Sequence, residues 1–216
     1  MITTELPLFP LNTVMFPGAS LTLHIFEERY RAMIGRCLEE GSPFGVILIR
    51  HGQEVGEPAM PHDIGTVVQI NASVRLEDGR MLIATIGQQR FKVSRIVHQL
   101  PYMVAQVSLL PEETEPGMRR AADELRALHE QYWQSVMAAT GVQYEFEQLP
   151  DDVVAMSHHL AHRLQVPNER KQRWLEVDTP IRMREIMAML RHEINLLPRS
   201  SNNRSLSSSN MPWSWN

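Results

Sequence analysis

Two histidines at a four-residue spacing form the most suggestive chemical pattern in the 216-residue sequence. His158 and His162 fall on one face of a predicted helix, where two imidazoles can bind one metal ion. A zinc peptidase of the HExxH type also needs a glutamate as general base, and this chain has His159 at that position. A third ligand would have to come from elsewhere, for example His129 or His192. We therefore expect histidines that hydrogen-bond or face solvent, no metal site and no bound cofactor.

The two lysines of the sequence do not fit a catalytic or nucleotide-binding motif. A phosphate-binding loop needs glycines ahead of a Lys-Ser or Lys-Thr pair, whereas Lys92 follows Phe91 and Lys171 follows Arg170. Neither lysine has the serine neighbourhood of a Ser-Lys dyad, and no glycine-flanked serine of the hydrolase type is present. We expect no enzymatic activity.

The single cysteine and the paired carboxylates have structural explanations. Cys37 lies on the apolar stripe of a predicted helix, which indicates a small buried side chain rather than a reactive thiol. One cysteine excludes an internal disulfide and fits a reducing compartment. The adjacent acidic residues at 39–40 and 151–152 are typical of solvated helix ends.

Charge and composition indicate an ordinary folded protein. Hydrophobic residues make up 43% of the chain, charged residues 21%, and the net charge is -4. The basic residues form no clustered stripe, which argues against a nucleic-acid partner. The sequence has neither a secretory signal pattern nor an apolar run of the roughly 20 residues that span a bilayer. We expect a cytoplasmic protein without membrane contact.

The first half of the chain is predicted to be rich in strands. Candidate strands cover residues 21–25, 44–50, 66–74, 80–86, 89–96 and 103–110, with turns at Asp78-Gly79 and Gly87. Short strands at this spacing favour a closed or half-closed barrel. One helix is expected between the first two strands, with Gly41 as its left-handed cap. Its apolar stripe comprises Phe26, Tyr30, Met33, Ile34, Cys37 and Leu38.

The second half is predicted to be helical. A long helix ends at Gly141, a second follows Pro150, and a third begins with Thr179 as cap and Pro180 in the first turn. These patterns predict three units: residues 1–112 as a β-barrel domain, 113–198 as a helical bundle, and 199–216 as a flexible tail rich in Ser and Asn. Trp213 and Trp215 lie in this tail, and whether they dock on anything is left open.

The first hundred or so residues resemble the amino-terminal domain of Lon proteases. The stretch ELPLFPLNTVMFPG at residues 5–18 contains the family's LPxxPL followed by VxFPG. Further similar segments follow in the family's order: 23–31 (LHIFEERYR), 44–46 (FGV), 64–67 (IGTV), 78–80 (DGR) and 87–91 (GQQRF). The sequence ends before any ATPase or peptidase domain, so we expect a stand-alone bacterial member of this family.

The resemblance implies an α+β fold and a binding function. The expected fold is an N-terminal PUA-like β pseudo-barrel with one early helix, followed by a C-terminal α-helical bundle. The expected function is non-catalytic polypeptide binding, as an adaptor or accessory in protein quality control. Expected partners are unfolded or tagged polypeptides, with a protease or chaperone as a further candidate. No pattern indicates an oligomeric state.

An apolar groove between barrel and helices is the expected binding site. Methionine and aromatic side chains adapt to varied peptides, although they are also common in cores, so exposure decides their role. The candidate contact residues are Met60, Tyr102, Met103, Trp133, Met137 and Trp174. Two alternatives stay open, an RNA-binding PUA-like module and a small-molecule-sensing domain.

Overall fold

The computed structural model describes residues 3–54, 59–114, 117–143, 145 and 147–197. Within these residues the strands are β1 (Thr3–Leu11), β2 (Ser20–Ile25), β3 (Phe44–His51), β4 (Met60–Pro61), β5 (Ile64–Arg75), β6 (Met81–His98) and β7 (Met103–Leu110). The helices are α1 (Glu28–Glu40), α2 (Met118–Thr140), α3 (Val153–Arg163), α4 (Asn168–Glu176) and α5 (Thr179–Leu196). Strands therefore come first and helices second, with α1 as the early helix.

The strands close into a barrel. Strand order runs β1-β7-β6-β5-β3, and β3 pairs with β1 again, which closes the ring. The β1–β3 pairing is parallel, whereas the other pairings in the ring are antiparallel. Two strands lie outside the ring: β2 pairs with the first half of β6, and the short β4 pairs with the end of β3. The predicted α+β fold with an N-terminal pseudo-barrel and C-terminal helices is confirmed.

The predicted turn at Gly87 is wrong, because β6 continues through it as one 18-residue strand. Gly87 donates a backbone hydrogen bond to Ala19 O at 2.9 Å. A Cβ at this position would lie 2.2 Å from Phe16 O. The glycine is therefore needed for close approach of two backbones rather than for a change of chain direction.

Strand β1 was not among the predicted strands. Its prolines lack the N–H groups of a regular ladder, so Pro7 and Pro10 conceal the strand in the sequence. In the structure Pro7 is paired with Val104 of β7, and Pro10 is paired with Ile47 of β3. The prolines hold β1 extended. Residues 3–8 pair with β7, residues 8–11 pair with β3, and residues 8–11 are buried.

Helix α1 and its cap are confirmed, with a narrower apolar stripe than expected. Gly41 adopts the left-handed conformation, φ 62°, and its N–H donates to Cys37 O. The buried residues of the helix are Tyr30, Met33, Ile34 and Cys37. Phe26 precedes the helix and Leu38 lies on its outer side, so both side chains are exposed.

The second half contains α4 in addition to the three predicted helices. Helix α4 is short and mostly polar, so its sequence has no clear apolar periodicity and the helix was not predicted. It nevertheless buries Trp174 and Leu175. The predicted cap of α5 is also corrected: Asp178 is the N-cap, and Thr179 is the first helical residue. The Thr179 hydroxyl instead donates a 2.8 Å hydrogen bond to Glu112.

One large hydrophobic cluster joins barrel and helices. It includes Phe16 and Phe44 from the barrel half together with Leu125, Met156 and Ile186 from the helices. A smaller cluster around Phe91 fills the barrel interior. The predicted division at residue 112 remains a proposal, and the larger cluster contains residues from both sides of it. The predicted tail at 199–216 lies outside the described residues.

Among the helices of the described residues, none combines the length and the hydropathy of a membrane-spanning segment.

Candidate functional site

A buried polar cluster lies where the barrel meets the helices. The Glu112 carboxylate, just after β7, accepts hydrogen bonds from Arg182 of α5 and from Thr179. His158 of α3 lies with Nε2 2.7 Å from the same carboxylate. Arg90 of β6 lies 2.8 Å from Glu112 Oε2, as an ion pair without hydrogen-bond geometry. These residues come from four separate segments of the chain, so the cluster fixes the helices on the barrel.

The protonation states of the cluster follow from burial and from its charges. Burial alone would raise the pKa of Glu112, but the hydrogen bond with His158 and the charges of Arg182 and Arg90 outweigh it and lower the pKa to about 2. Burial lowers the pKa of His158 to about 4. A neutral His158 donates from Nε2 to Glu112 and accepts at Nδ1 from Arg182 Nη1, 3.0 Å away. Burial also lowers the pKa of Arg182, to about 10.

This arrangement is suited to holding the fold rather than to chemistry. Arg90 Nη1 is committed to the Leu175 and Val177 carbonyls at 2.7 and 3.0 Å. Glu112, which would be the base of any proton transfer, is held ionised between two arginines. Its carboxylate is therefore a poor proton acceptor near neutral pH.

The two α3 histidines that could have shared a metal ion, His158 and His162, lie in different environments. His158 is buried and hydrogen-bonded, as expected for a structural histidine. His162 is half-buried, and burial lowers its pKa to about 4. Its Nδ1 atom has no hydrogen-bond partner. Across the described residues, no group of three or more His, Cys, Asp or Glu side chains could hold a metal ion.

A cleft of about 440 Å³ lies between the barrel and α3, near the expected position of the groove. Its lining includes Gly18, Gln88, Arg90, Glu112, His158 and His162. The rest of the lining includes apolar side chains such as Ala19, Leu110 and Val154, so polar and imidazole groups alternate with aliphatic ones, and no described lining residue is a methionine or carries an aromatic ring of Phe, Tyr or Trp. None of the six predicted contact residues lines this cleft.

The six predicted contact residues are not brought together on one surface. Met103, Trp133 and Trp174 are buried in the core, so a partner cannot reach them in this conformation. Tyr102 and Met137 are half-buried, the first before β7 and the second near the end of α2. Met60 in β4 is 57% exposed. Exposure was to decide their role: Trp133 of α2 and Trp174 of α4 pack into the large cluster, and Met103 of β7 packs into the smaller cluster around Phe91.

An exposed apolar surface lies elsewhere, on the outer side of β5, β6 and β2. Val74, Leu82 and His24 are cross-strand neighbours in register, so their side chains share one face. Val74 is 58% exposed and Leu82 is 40% exposed. Phe26, 48% exposed, lies beside His24 with ring centroids 5.8 Å apart. We call these four side chains the apolar sheet face.

Sequence reasoning missed the apolar sheet face because alternation along β6 does not reveal which side faces solvent. Met81, Ile83 and Thr85 are buried, and Leu82 and Ala84 alternate with them on the exposed side. The only sequence indication would be a leucine, Leu82, on the solvent side of a strand, and single exposed leucines are common. Leu82 becomes part of an apolar surface because it pairs with Val74, and the sequence does not reveal this pairing.

Comparisons with known proteins agree with this fold. The solved structure of a Lon N-terminal domain protein from Xanthomonas campestris matches with TM-score 0.61 and 27% identity, over 86% of this chain and 98% of that chain. The N-terminal domain of Lon protease from the Mycobacterium avium complex matches with TM-score 0.62 over 87% of this chain and 98% of that chain. At 16% identity, the second likeness shows the fold alone.

Sequence relatives are much longer proteins. Lon protease 2 of Myxococcus xanthus is 26% identical over 206 residues, which cover 93% of this chain and 25% of that protein. Lon protease of Flavobacterium johnsoniae is 30% identical over 115 residues, which cover 52% of this chain and 14% of that protein. This chain thus spans a quarter or less of the length of these two relatives.

The family comparison covers most of the chain. The model of the ATP-dependent protease La (LON) substrate-binding domain matches residues 5–192, which include the barrel except the first two residues of β1 and all five helices except the end of α5. The chain belongs to the LON substrate-binding domain family.

Proposed function

We propose that this protein is a non-catalytic polypeptide-binding module, acting in the cytoplasm as an adaptor or accessory in protein quality control. The apolar sheet face is the observation that carries the proposal. Val74 and Leu82 expose apolar surface side by side, and the exposed Phe26 ring lies against His24 at the β2 end of the same face. An exposed apolar patch of this kind supports an interaction site here. Membership of a substrate-binding family supports a polypeptide as the bound partner.

The proposal of a non-catalytic role is supported by the chemistry of the cleft. Glu112, Arg182 and His158 bind one another, and Glu112 is ionised with a pKa of about 2. An unfolded client or a partner protease would therefore be recognised by surface contact, without a bond being broken in it.

Titration with an unfolded polypeptide tests the proposal. Fluorescein-labelled, reduced and carboxymethylated α-lactalbumin is mixed with increasing protein, and anisotropy gives Kd. Leu82→Asp should weaken binding by about 10-fold or more, because burying one leucine on a partner contributes roughly 1.5–3 kcal/mol. Leu100→Asp is the matched control, since Leu100 is 71% exposed and lies outside the apolar sheet face.

The outcomes distinguish an error in the proposed binding surface from an error in the proposed function. Saturable binding that Leu82→Asp weakens and Leu100→Asp leaves unchanged supports the proposal. No saturable binding by the wild-type protein would remove the proposed function. Binding that both variants retain would place the site elsewhere on the molecule.

A further inference from the structure

The second half of β5 has an open edge. Its first half pairs with β3 through Thr66, Val67 and Val68 on one side. From residue 69 onward, β6 is the only strand that pairs with β5 among the described residues. Residues 71–75 are all exposed, so no other described part of the chain covers this edge. A row of main-chain groups is left facing solvent there.

The register shows which main-chain groups face outward. The Leu76 N–H donates to Arg80 O at 2.8 Å, across to the start of β6. Hydrogen-bonding direction alternates along a strand, so Val74 and Ala72 also bond toward β6. Ser73 and Arg75 therefore point their N–H and C=O groups away from β6. The bond from Gly87 N–H to Ala19 O supports this assignment, because it directs odd-numbered residues of β6 toward β2.

The open edge adjoins the apolar sheet face. Val74 forms the outer end of that face, and Leu82 and His24 continue it across β6 and β2. A strand added beside β5 would place alternate side chains next to Val74 and extend the apolar surface. The open stretch ends at a register shift between Ile70 and Ala72 on one side and at the Leu76–Arg80 turn on the other.

We propose that the β5 edge at residues 71–75 binds an extended segment of an unfolded polypeptide, with apolar side chains at alternate positions, by strand addition. This inference rests on the proposed function. An extended backbone carries donors and acceptors at the spacing that Ser73 and Arg75 require, and alternate apolar side chains match Val74 and Leu82. The hydrogen bonds provide affinity for any sequence, and the apolar sheet face selects the segment.

Proline substitution tests strand addition directly. Ser73→Pro removes an outward N–H while leaving the β5–β6 bonds of Ala72 and Val74 in place. The Kd for the labelled α-lactalbumin should rise by about 10-fold. This is close to the effect of losing the hydrogen bond of the Ser73 N–H and distorting the bond next to it. Ser73→Ala, which keeps the N–H, should bind within about two-fold of wild type.

Thr22→Pro is the matched control for the proline itself. Thr22 lies at the opposite, β2 edge of the same three strands, paired with Ala84, and its main-chain groups also face away from β6. This variant should bind as wild type does. Circular dichroism and thermal unfolding of each variant establish that the fold is kept.

Hydrogen exchange keeps the test decisive if Ser73→Pro does not fold. In the wild-type protein, saturating polypeptide should slow amide exchange in the segment containing Ser73 and Arg75 and leave the Thr22 segment unchanged. Binding without this protection, or undiminished binding by folded Ser73→Pro, would overturn strand addition while the proposed function stands. Absence of any wild-type binding would instead remove the proposed function.

A second copy of this chain is the competing occupant of the edge. Light scattering after gel filtration distinguishes the two. A dimer that Ser73→Pro converts to a monomer would show self-pairing and overturn an unfolded polypeptide as the natural occupant. A monomer with the expected binding pattern supports the proposal.

Discussion

At the scale of single residues, Glu112 shows how the fold manages a buried charge. Its side chain is 9% exposed, and its contacts with Arg90 and Arg182 compensate for the loss of water. Removing one partner of such a pair leaves an uncompensated charge, whereas removing a surface pair changes little.

Arg182→Met should therefore lower the free energy of unfolding by about 3–5 kcal/mol. Arg191→Met on the same helix is the control, because Arg191 and Glu124 are an ion pair with both side chains about half exposed. That change should cost no more than about 1 kcal/mol. Urea unfolding followed by circular dichroism measures both, and equal effects would contradict a supporting role for the buried cluster.

The buried histidines should make stability depend on pH. His158 has a pKa of about 4 in the folded protein against an ordinary 6.5, so between these values the unfolded chain binds a proton that the folded chain does not. Its contribution is therefore fully present above pH 6.5 and is lost as the pH falls toward 4. Glu112, with a pKa of about 2 against 4.5, adds a further loss below pH 4.5.

His158→Gln should reduce the fall in stability between about pH 7 and about pH 5 by up to about 2 kcal/mol. Urea unfolding at the two pH values measures this difference. Part of the slope should persist, because burial also lowers the pKa values of His129 and His162 to about 4. His192→Gln, at an exposed position on α5, should keep the wild-type slope. An unchanged slope in His158→Gln would assign the dependence to other groups.

At this scale, residue types predicted the environment of some side chains but not their partners. Cys37 is buried, as its place on the apolar stripe predicted, and the acidic pair at 151–152 lies exposed, with Asp152 accepting a hydrogen bond from Ala155 N–H at the start of α3. The partnership of Glu112 with Arg182 was not predictable, because 70 positions separate them and only the fold brings them together.

At the scale of elements, glycines decide where strands can cross closely. Gly87 lets β6 pass the Phe16 carbonyl, and no side chain fits in that gap. Gly35, in contrast, lies in α1 with open space where a Cβ would be. The two residues thus predict opposite responses to the same substitution.

Gly87→Ala should destabilise the protein by about 2 kcal/mol or more, because backbone atoms must move to admit the methyl group. Gly35→Ala should stabilise it by about 0.5–1 kcal/mol through higher helix propensity and lower entropy of the unfolded chain. Thermal unfolding of the two variants gives the comparison. Tolerance of alanine at Gly87 would mean that β6 can shift away from Phe16 at little cost.

Element prediction succeeded where periodicity and caps agreed. Helix α1 with Gly41 and helix α2 with Gly141 end as the sequence indicates. It failed for β1, whose prolines are atypical of a paired strand, and for α4, whose nine residues are mostly polar. In both cases tertiary packing stabilises an element that local propensity does not specify.

At the scale of the molecule, barrel and helices are joined by polar as well as apolar contacts. Gln172 of α4 donates to Ile64 O at 3.0 Å, and Arg90 donates to the carbonyls that follow Trp174. These contacts add to the hydrophobic cluster shared by both halves. The family resemblance predicted both halves and their order, but not this coupling.

We therefore expect barrel and helices to unfold together. Hydrogen exchange at increasing urea should give the same opening free energy for peptides of β6 and of α3. Arg182→Met should lower both values equally. Separate opening free energies, with only the helical peptides affected, would show two independent folding units divided near residue 112.

The buried thiol of Cys37 gives the protein a built-in reporter. It is the single cysteine in the sequence, it faces the barrel from α1, and burial raises its pKa, so a thiol-reactive dye meets neither an accessible sulfur nor a thiolate. The rate of dye uptake by the native protein then reports how often α1 separates from the barrel. A change in this uptake rate when a client binds would show that occupancy of the β5 edge alters how often α1 opens.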